Sequence, residues 1–136
     1  MPKVVYITRE HMKPLLEPYG LSEAVRAGDL LHLGGQTGMN AAFEIVSGGV
    51  RAQAEQAFRN IREIVELAGG RVEDLVHLTW YLVEPEGGAA FMEDAMAVTA
   101  AREAVMAGVR PASTAVRVKA LLTPEILVEI QAVAAL

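Results

Sequence analysis

The chain is expected to fold as an α+β layer sandwich, a mixed six-stranded sheet with two helices on one face. Three observations point there: two hydrophobic runs at helical spacing, six short runs that alternate or are rich in Val, Ile and Leu, and the order in which they occur. The order is strand, hairpin, helix, strand, helix, two strands, which gives a sheet with helices gathered on one side.

Val4-Val5-Tyr6-Ile7 forms the first strand, and an irregular segment punctuated by Pro14 and Pro18 runs from His11 to Gly20. Ala24 to Ala27 and Leu30 to Gly35 read as two strands joined by Ala27-Gly28-Asp29, a tight-turn composition, so a hairpin is expected. From Val50 to Leu67 the apolar positions Val50, Ala54, Ala57, Phe58, Ile61, Val65 and Ala68 recur at helical spacing, with Gly69-Gly70 as the stop. Leu75 to Val83 alternates as a strand, with Val76, Leu78, Trp80 and Leu82 on one side and His77, Thr79, Tyr81 and Val83 on the other. Pro85 to Gly88 breaks it. Ala89 to Ala107 then forms an alanine-rich helix ending at Gly108.

Two strand-like runs close the chain, Ala115 to Leu121 and Ile126 to Ala135. Alternation in the second puts Ile126, Val128, Ile130, Ala132 and Ala134 on one face and Leu127, Glu129, Gln131 and Val133 on the other. A face only half polar is rarely left to water. The lone acid within it, Glu129, is a site candidate, and it lies near the hydroxyls of Ser113 and Thr114 if the two runs pair.

Composition bounds the function. At 136 residues the chain fits one domain spanning 1–136, and 52% hydrophobic with 5% aromatic residues implies a core of Ala, Val, Leu and Ile. A formal net charge of −5 disfavours unspecific nucleic-acid binding, which needs a cationic surface to displace counterions. Without cysteine there are no disulfides, thiolate nucleophiles or cysteine-based metal sites. His11, His32 and His77 are scattered without ligand spacing, so no metal is expected. Gly34-Gly35-Gln36-Thr37-Gly38 lacks the lysine of a phosphate loop. No apolar signal core or membrane-length run is present, and a cytoplasmic setting is the plain expectation. Several strands are apolar on both faces, which two helices on one side cannot cover, so the second face is expected to pack against copies of the chain in a closed oligomer with clefts between subunits.

Several segments in order resemble the RidA/YjgF (Rid) family of small trimeric proteins. Pro18-Tyr19 is similar to its Gly-Pro-Tyr, and Leu33-Gly34-Gly35-Gln36-Thr37-Gly38 to its Ser-Gly-Gln segment. Matches follow at Ala54-Glu55-Gln56-Ala57-Phe58-Arg59-Asn60-Ile61, Ala68-Gly69-Gly70, Val72-Glu73-Asp74-Leu75-Val76 and Arg110-Pro111-Ala112-Ser113-Thr114. Finally, Leu127-Val128-Glu129-Ile130-Gln131-Ala132 is similar to the family's closing Leu-Val-Glu-Ile-Glu-Ala.

The resemblance implies a chorismate-mutase-like fold, a homotrimer and ligand clefts at the subunit interfaces. It also implies metal-free and cofactor-free hydrolysis of enamines and imines such as 2-aminoacrylate to a 2-oxo acid and ammonia. In the family an arginine in Pro-Ala-Arg-Ser pairs with the substrate carboxylate, while the closing glutamate and nearby backbone groups position or activate water. Here Ser113 holds the arginine's place, Gly34 replaces the serine before Gly-Gln, and Ala95 stands where an asparagine is common. Serine donates a hydrogen bond but forms no bidentate ion pair. Arg110 precedes a proline just before the strand, and Arg117 shares a face with Ser113; neither follows the motif's geometry, so loss of 2-aminoacrylate deamination is expected rather than its rescue.

The resulting site expectation is Glu129 as the proton-handling group, with Tyr19, Gly34, Gly35, Tyr81, Ser113 and Thr114 contacting a small-molecule metabolite. Bland roles stand beside it: a strand carboxylate is commonly a surface ion pair, Tyr19 packs on the hairpin, Tyr81 serves an interface, and the two glycines mark a bulge. Two functions stay open. One is a hydrolase of small imines, enamines or related activated C–N metabolites, not the 2-aminoacrylate enzyme. The other is a non-catalytic trimer that binds a small metabolite as a sensor or regulatory module.

Overall fold

The structure is a computed structural model of the chain and describes residues 3–87 and 90–136. Met1, Pro2, Gly88 of the predicted break and Ala89, the predicted first residue of the second helix, lie outside the described residues. Six strands, β1 (Val4–Ile7), β2 (Ala24–Ala27), β3 (Leu30–Gln36), β4 (Leu75–Val83), β5 (Ala112–Val118) and β6 (Val128–Ala135), form one sheet in the order β1-β2-β3-β6-β4-β5. All pairings are antiparallel except β4 with β5. The α+β architecture with a mixed sheet is as the sequence predicts.

The segment expected to be irregular is a run of helical turns: a 3-10 turn at Glu10–Met12, the four-residue helix α1 (Lys13–Leu16) and a second 3-10 turn at Glu17–Tyr19. Pro14 and Pro18 sit in first turns, where their fixed φ suits a helix and no amide is missed.

Helix α2 (Gly49–Leu67) buries Ala54, Ala57, Phe58, Ile61, Ile64 and Val65 against β3 and β6. Its end is a Schellman motif: Gly69, at φ +91°, donates its amide to the Glu66 carbonyl at 3.0 Å and Gly70 donates to Val65 at 2.9 Å. Helix α3 (Phe91–Val105) packs on α2 and contributes Val98 and Ala101. The sheet side of this core is the alternating set Val128, Ile130, Ala132 and Ala134 of β6 with Leu78, Trp80 and Leu82 of β4 and Leu31 and Leu33 of β3.

The structure corrects the pattern at three places. Val76 is exposed rather than aligned with Leu78, because Leu75 pairs with Ala134 and His77 with the adjacent Val133, leaving Val76 as the extra residue of a bulge. The strand expected at Ala115 to Leu121 is β5, Ala112–Val118, shifted toward the N-terminus by its ladder with β4. And β5 does not pair with β6: β4 lies between them, so the condition that would bring Ser113 and Thr114 beside Glu129 within one chain is not met.

The sheet's second face is uncovered by helices. Register partners share a face, so it carries Val4, Tyr6, Leu30 and Val116, all exposed, with half-buried His77, Thr79, Tyr81, Val83 and Val133. No helix among the described residues is long and apolar enough to cross a membrane.

Candidate functional site

Glu129 sits on β6, a central strand, opposite Tyr81 of β4. On its other side the β3–β6 ladder is irregular: Leu33 pairs with Ala132 and Gln36 with Ile130, three steps on β3 against two on β6. The extra residue belongs to Gly34-Gly35, and the Gly34 amide donates to the Glu23 carbonyl at 2.8 Å instead. The Glu129 side chain folds over this bulge. A Cβ built on Gly35 would lie 2.6 Å from its Cδ and 2.8 Å from its Cγ, so only glycine leaves room for the carboxyl group. Burial raises the Glu129 pKa above its ordinary value. Among the described residues, no hydrogen bond or ion pair to the carboxylate offsets that penalty.

Beside the bulge opens a cleft of about 340 Å³, walled by Met12, Leu15, Leu16, Leu21, Met39 and Leu122 and floored by Gly34, Gly35 and Gln36. Its polar side chains are Ser22, Glu23, Gln36, Thr37, Asn60 and Glu129; among the described residues no Lys, Arg or His lines it.

Side chains that the sequence patterns did not single out hold this cleft together. Gln53 clamps the start of β6, its Nε2 donating to the Glu125 carbonyl and its Oε1 accepting from the Leu127 amide, both at 2.9 Å. Asn60 donates to the carbonyls of Thr37 (3.1 Å) and Met39 (3.0 Å), fixing the loop after the bulge. Its Oδ1 accepts from Gln56 and from Arg9. Arg9 reaches Glu23 with its amide, Nε and Nη2, the last at 2.8 Å, and Glu63 through Nη1 at 2.7 Å. Gln53 and Asn60 are polar residues seven apart on the buried stripe of α2, the signal that marks them. Arg9 and Glu23 leave no such pattern.

Of the predicted site residues, the structure brings Glu129, Gly34 and Gly35 together in the cleft, with Tyr81 beside Glu129 on the sheet. The Tyr81 hydroxyl donates to Gln131 Oε1 at 3.2 Å. Tyr19 is 78% exposed at the end of the helical turns and does not line this cleft. Ser113 and Thr114 lie on β5, two strand spacings or about 9.6 Å from β6, level with Ala132 and Gln131 through Leu78 and Thr79. The Ser113 hydroxyl donates to the Pro111 carbonyl at 3.3 Å. Arg117 is held on the helix side, donating to Asp94 Oδ2 at 2.6 Å and to the Val83 carbonyl at 3.1 Å, with its guanidinium 5.3 Å from the Phe91 ring centre. Arg110 is exposed. Among the described residues no group of three or more His, Cys, Asp or Glu is placed to hold a metal ion.

Chemically, the cleft offers one half-desolvated carboxylate above a glycine bulge, within apolar walls. Such a group takes a proton from a bound water, or returns one, more readily near neutral pH than an ordinary surface glutamate.

Relatives bear on the chemistry. A 2-iminobutanoate/2-iminopropanoate deaminase of Dermatophagoides farinae is 37% identical over 82 residues, 60% of this chain and 62% of that protein's length. A RutC family protein of Pyrococcus horikoshii is 32% identical over 133 residues, 97% of both chains. A Mycobacterium tuberculosis protein described as a member of the YjgF/YER057c/UK114 family superposes with a TM-score of 0.76 at 26% identity, covering 98% of this chain and 99% of that one. A family model described as endoribonuclease L-PSP matches residues 13–136. With the fold and the motif order described above, the chain belongs to this endoribonuclease L-PSP family, the RidA/YjgF (Rid) family.

Proposed function

We propose that the chain is a cytoplasmic, cofactor-independent hydrolase of small imines, enamines or related activated C–N metabolites, acting as a homotrimer with its clefts at subunit boundaries. The observation that carries this is Glu129, folded over Gly35 in a cleft with its pKa raised by burial. Imine deaminases among the relatives support the reaction class, and the uncovered apolar sheet face supports the assembly.

In this mechanism a protonated imine and water yield a carbonyl compound and ammonium. Glu129 accepts a proton as the water oxygen adds to the C=N carbon, then returns it to the nitrogen of the tetrahedral adduct; as the C–N bond breaks and the C=O forms, Glu129 takes the hydroxyl proton and passes it to the departing ammonia, which leaves as ammonium. Gly34 and Gly35 present backbone beside the reacting group, Tyr81 sits next to Glu129 on the sheet, and in the assembly Tyr19, Ser113 and Thr114 contact the ligand from a neighbouring copy. Ser113, in the family arginine's place, supplies no guanidinium for a carboxylate, so 2-aminoacrylate is not the preferred substrate. Endonucleolytic cleavage fits less well, because among the described residues no cation lines the cleft to meet a phosphate.

The second reading, a non-catalytic trimer that binds a small metabolite as a regulatory protein, is favoured by one feature: the Ser113 hydroxyl is turned to its own backbone. Ammonia release separates the two. Freshly generated 2-aminoacrylate and imines lacking a carboxylate are mixed with wild type and Glu129→Gln. The hydrolase reading expects turnover that falls about 10²-fold or more in the variant; absence of turnover with every imine, together with saturable metabolite binding, selects the regulatory reading.

A further inference from the structure

We infer that this cleft selects small apolar ligands bearing a cationic or neutral C=N group and discriminates against carboxylates, a specificity that rests on the site assigned above and names its substrate class. Charge and polarity along the lining carry it. Among the described residues of the lining, Glu129 is the carboxylate without a cation: Glu23, whose side chain is 1% exposed, is already paired with Arg9 at 2.8 Å. Arg9 is committed on its other edge to Glu63 and Asn60. A ligand therefore meets one uncompensated negative charge.

A protonated imine placed against Glu129 replaces the donors the carboxylate lacks, and holds the carbon to be attacked beside the proton acceptor. A carboxylate in the same place adds a like charge in a half-desolvated site. Hydrocarbon faces the rest of the ligand, from Met12, Leu15, Leu16, Leu21 and Leu122. At about 340 Å³ the space lies at the small end of the range for organic ligands.

Alkylammonium ions serve as stable stand-ins for the iminium. The full chain is titrated calorimetrically with butylammonium, hexylammonium, butanoate and hexanoate, using wild type, Glu129→Gln and Leu15→Ser, each first shown to be folded by circular dichroism. The expected result has three parts. Ammonium binding tightens about fourfold per added methylene, or about sixteenfold from butyl to hexyl. The carboxylates bind at least about tenfold more weakly than ammonium ions of equal length, and Glu129→Gln weakens ammonium binding by a similar factor. Leu15→Ser flattens the chain-length dependence while keeping the preference for cations.

Carboxylates binding as tightly as the ammonium ions overturn the inference, as do ammonium affinities unchanged in folded Glu129→Gln, or the absence of binding by any of the four ions. The outcome is separable from that for hydrolysis. Selective ammonium binding without turnover of any imine defeats the hydrolase and leaves the specificity standing. Faster hydrolysis of 2-iminobutanoate than of butan-1-imine keeps the hydrolase and defeats the specificity.

Discussion

Glu129 and Gly35 depend on each other at the scale of single residues. The carboxyl group occupies the volume a side chain at position 35 would fill, so Gly35→Ala pushes it out of the cleft without emptying the core. The expected result is a loss of imine hydrolysis of at least about tenfold, with a fall in stability of about 1 kcal/mol, the lower end for overpacking because the displaced group is flexible; kinetics and chemical denaturation of the variant check both. Folding also raises the pKa of Glu129, so the sign of its pH effect follows. Between the ordinary carboxylate pKa and the raised one, the folded chain binds more protons than the unfolded chain, and this group's contribution to stability falls as pH rises. Glu129→Gln removes that loss. Its Tm is expected to exceed that of wild type at pH 7, with the difference closing as pH drops below the ordinary carboxylate range; a difference of constant size across that range contradicts the assignment. Glu129 was legible in the sequence because an acid in an apolar alternating strand is conspicuous. Arg9 and Glu23 were not, since an ion pair between residues fourteen apart, across a turn and helical segment, has no periodic signature.

At the scale of elements, legibility followed burial. The alternation of β6 could be read because α2 covers one of its faces and water excludes polar residues from it. At β5 the same method misplaced the strand: this edge strand is exposed over much of its length, and its limits are set by hydrogen bonds to β4 that no hydrophobic pattern records. Val76 broke its pattern for a local reason, the bulge opposite Val133 and Ala134. Strand order, which separates Ser113 and Thr114 from Glu129 within the chain, is a long-range property and left no trace in either run. Helix α2 reaches the cleft itself through Asn60 and braces it through Gln53, whose amide group substitutes for a strand neighbour at the entry to β6. Replacing it by leucine leaves the Leu127 amide and Glu125 carbonyl without that partner. Gln53→Leu is expected to cost about 2 kcal/mol and to speed hydrogen exchange at Leu127 relative to Ile130; unchanged exchange at Leu127 contradicts the clamp.

On the scale of the whole molecule, the helix layer covers one face of the sheet and leaves Tyr6, Leu30 and Val116 uncovered on the other. The proposed trimer uses that face. Sedimentation equilibrium is expected to give three chains per particle for wild type and a shift toward single chains for Val116→Lys, which places a charge on the face without touching the core; a wild-type monomer contradicts the assembly. Whatever the number of copies, the chemistry proposed for this fold comes down to one carboxyl group kept partly from water. The direct measurement is a carbon-detected NMR titration of the Glu129 side-chain carboxyl in the full-length protein. A midpoint above the ordinary glutamate value of about 4.3, with the Gly35 amide following the same curve, is the predicted result. A midpoint at or below that value, with Gly35 insensitive to it, would contradict the account.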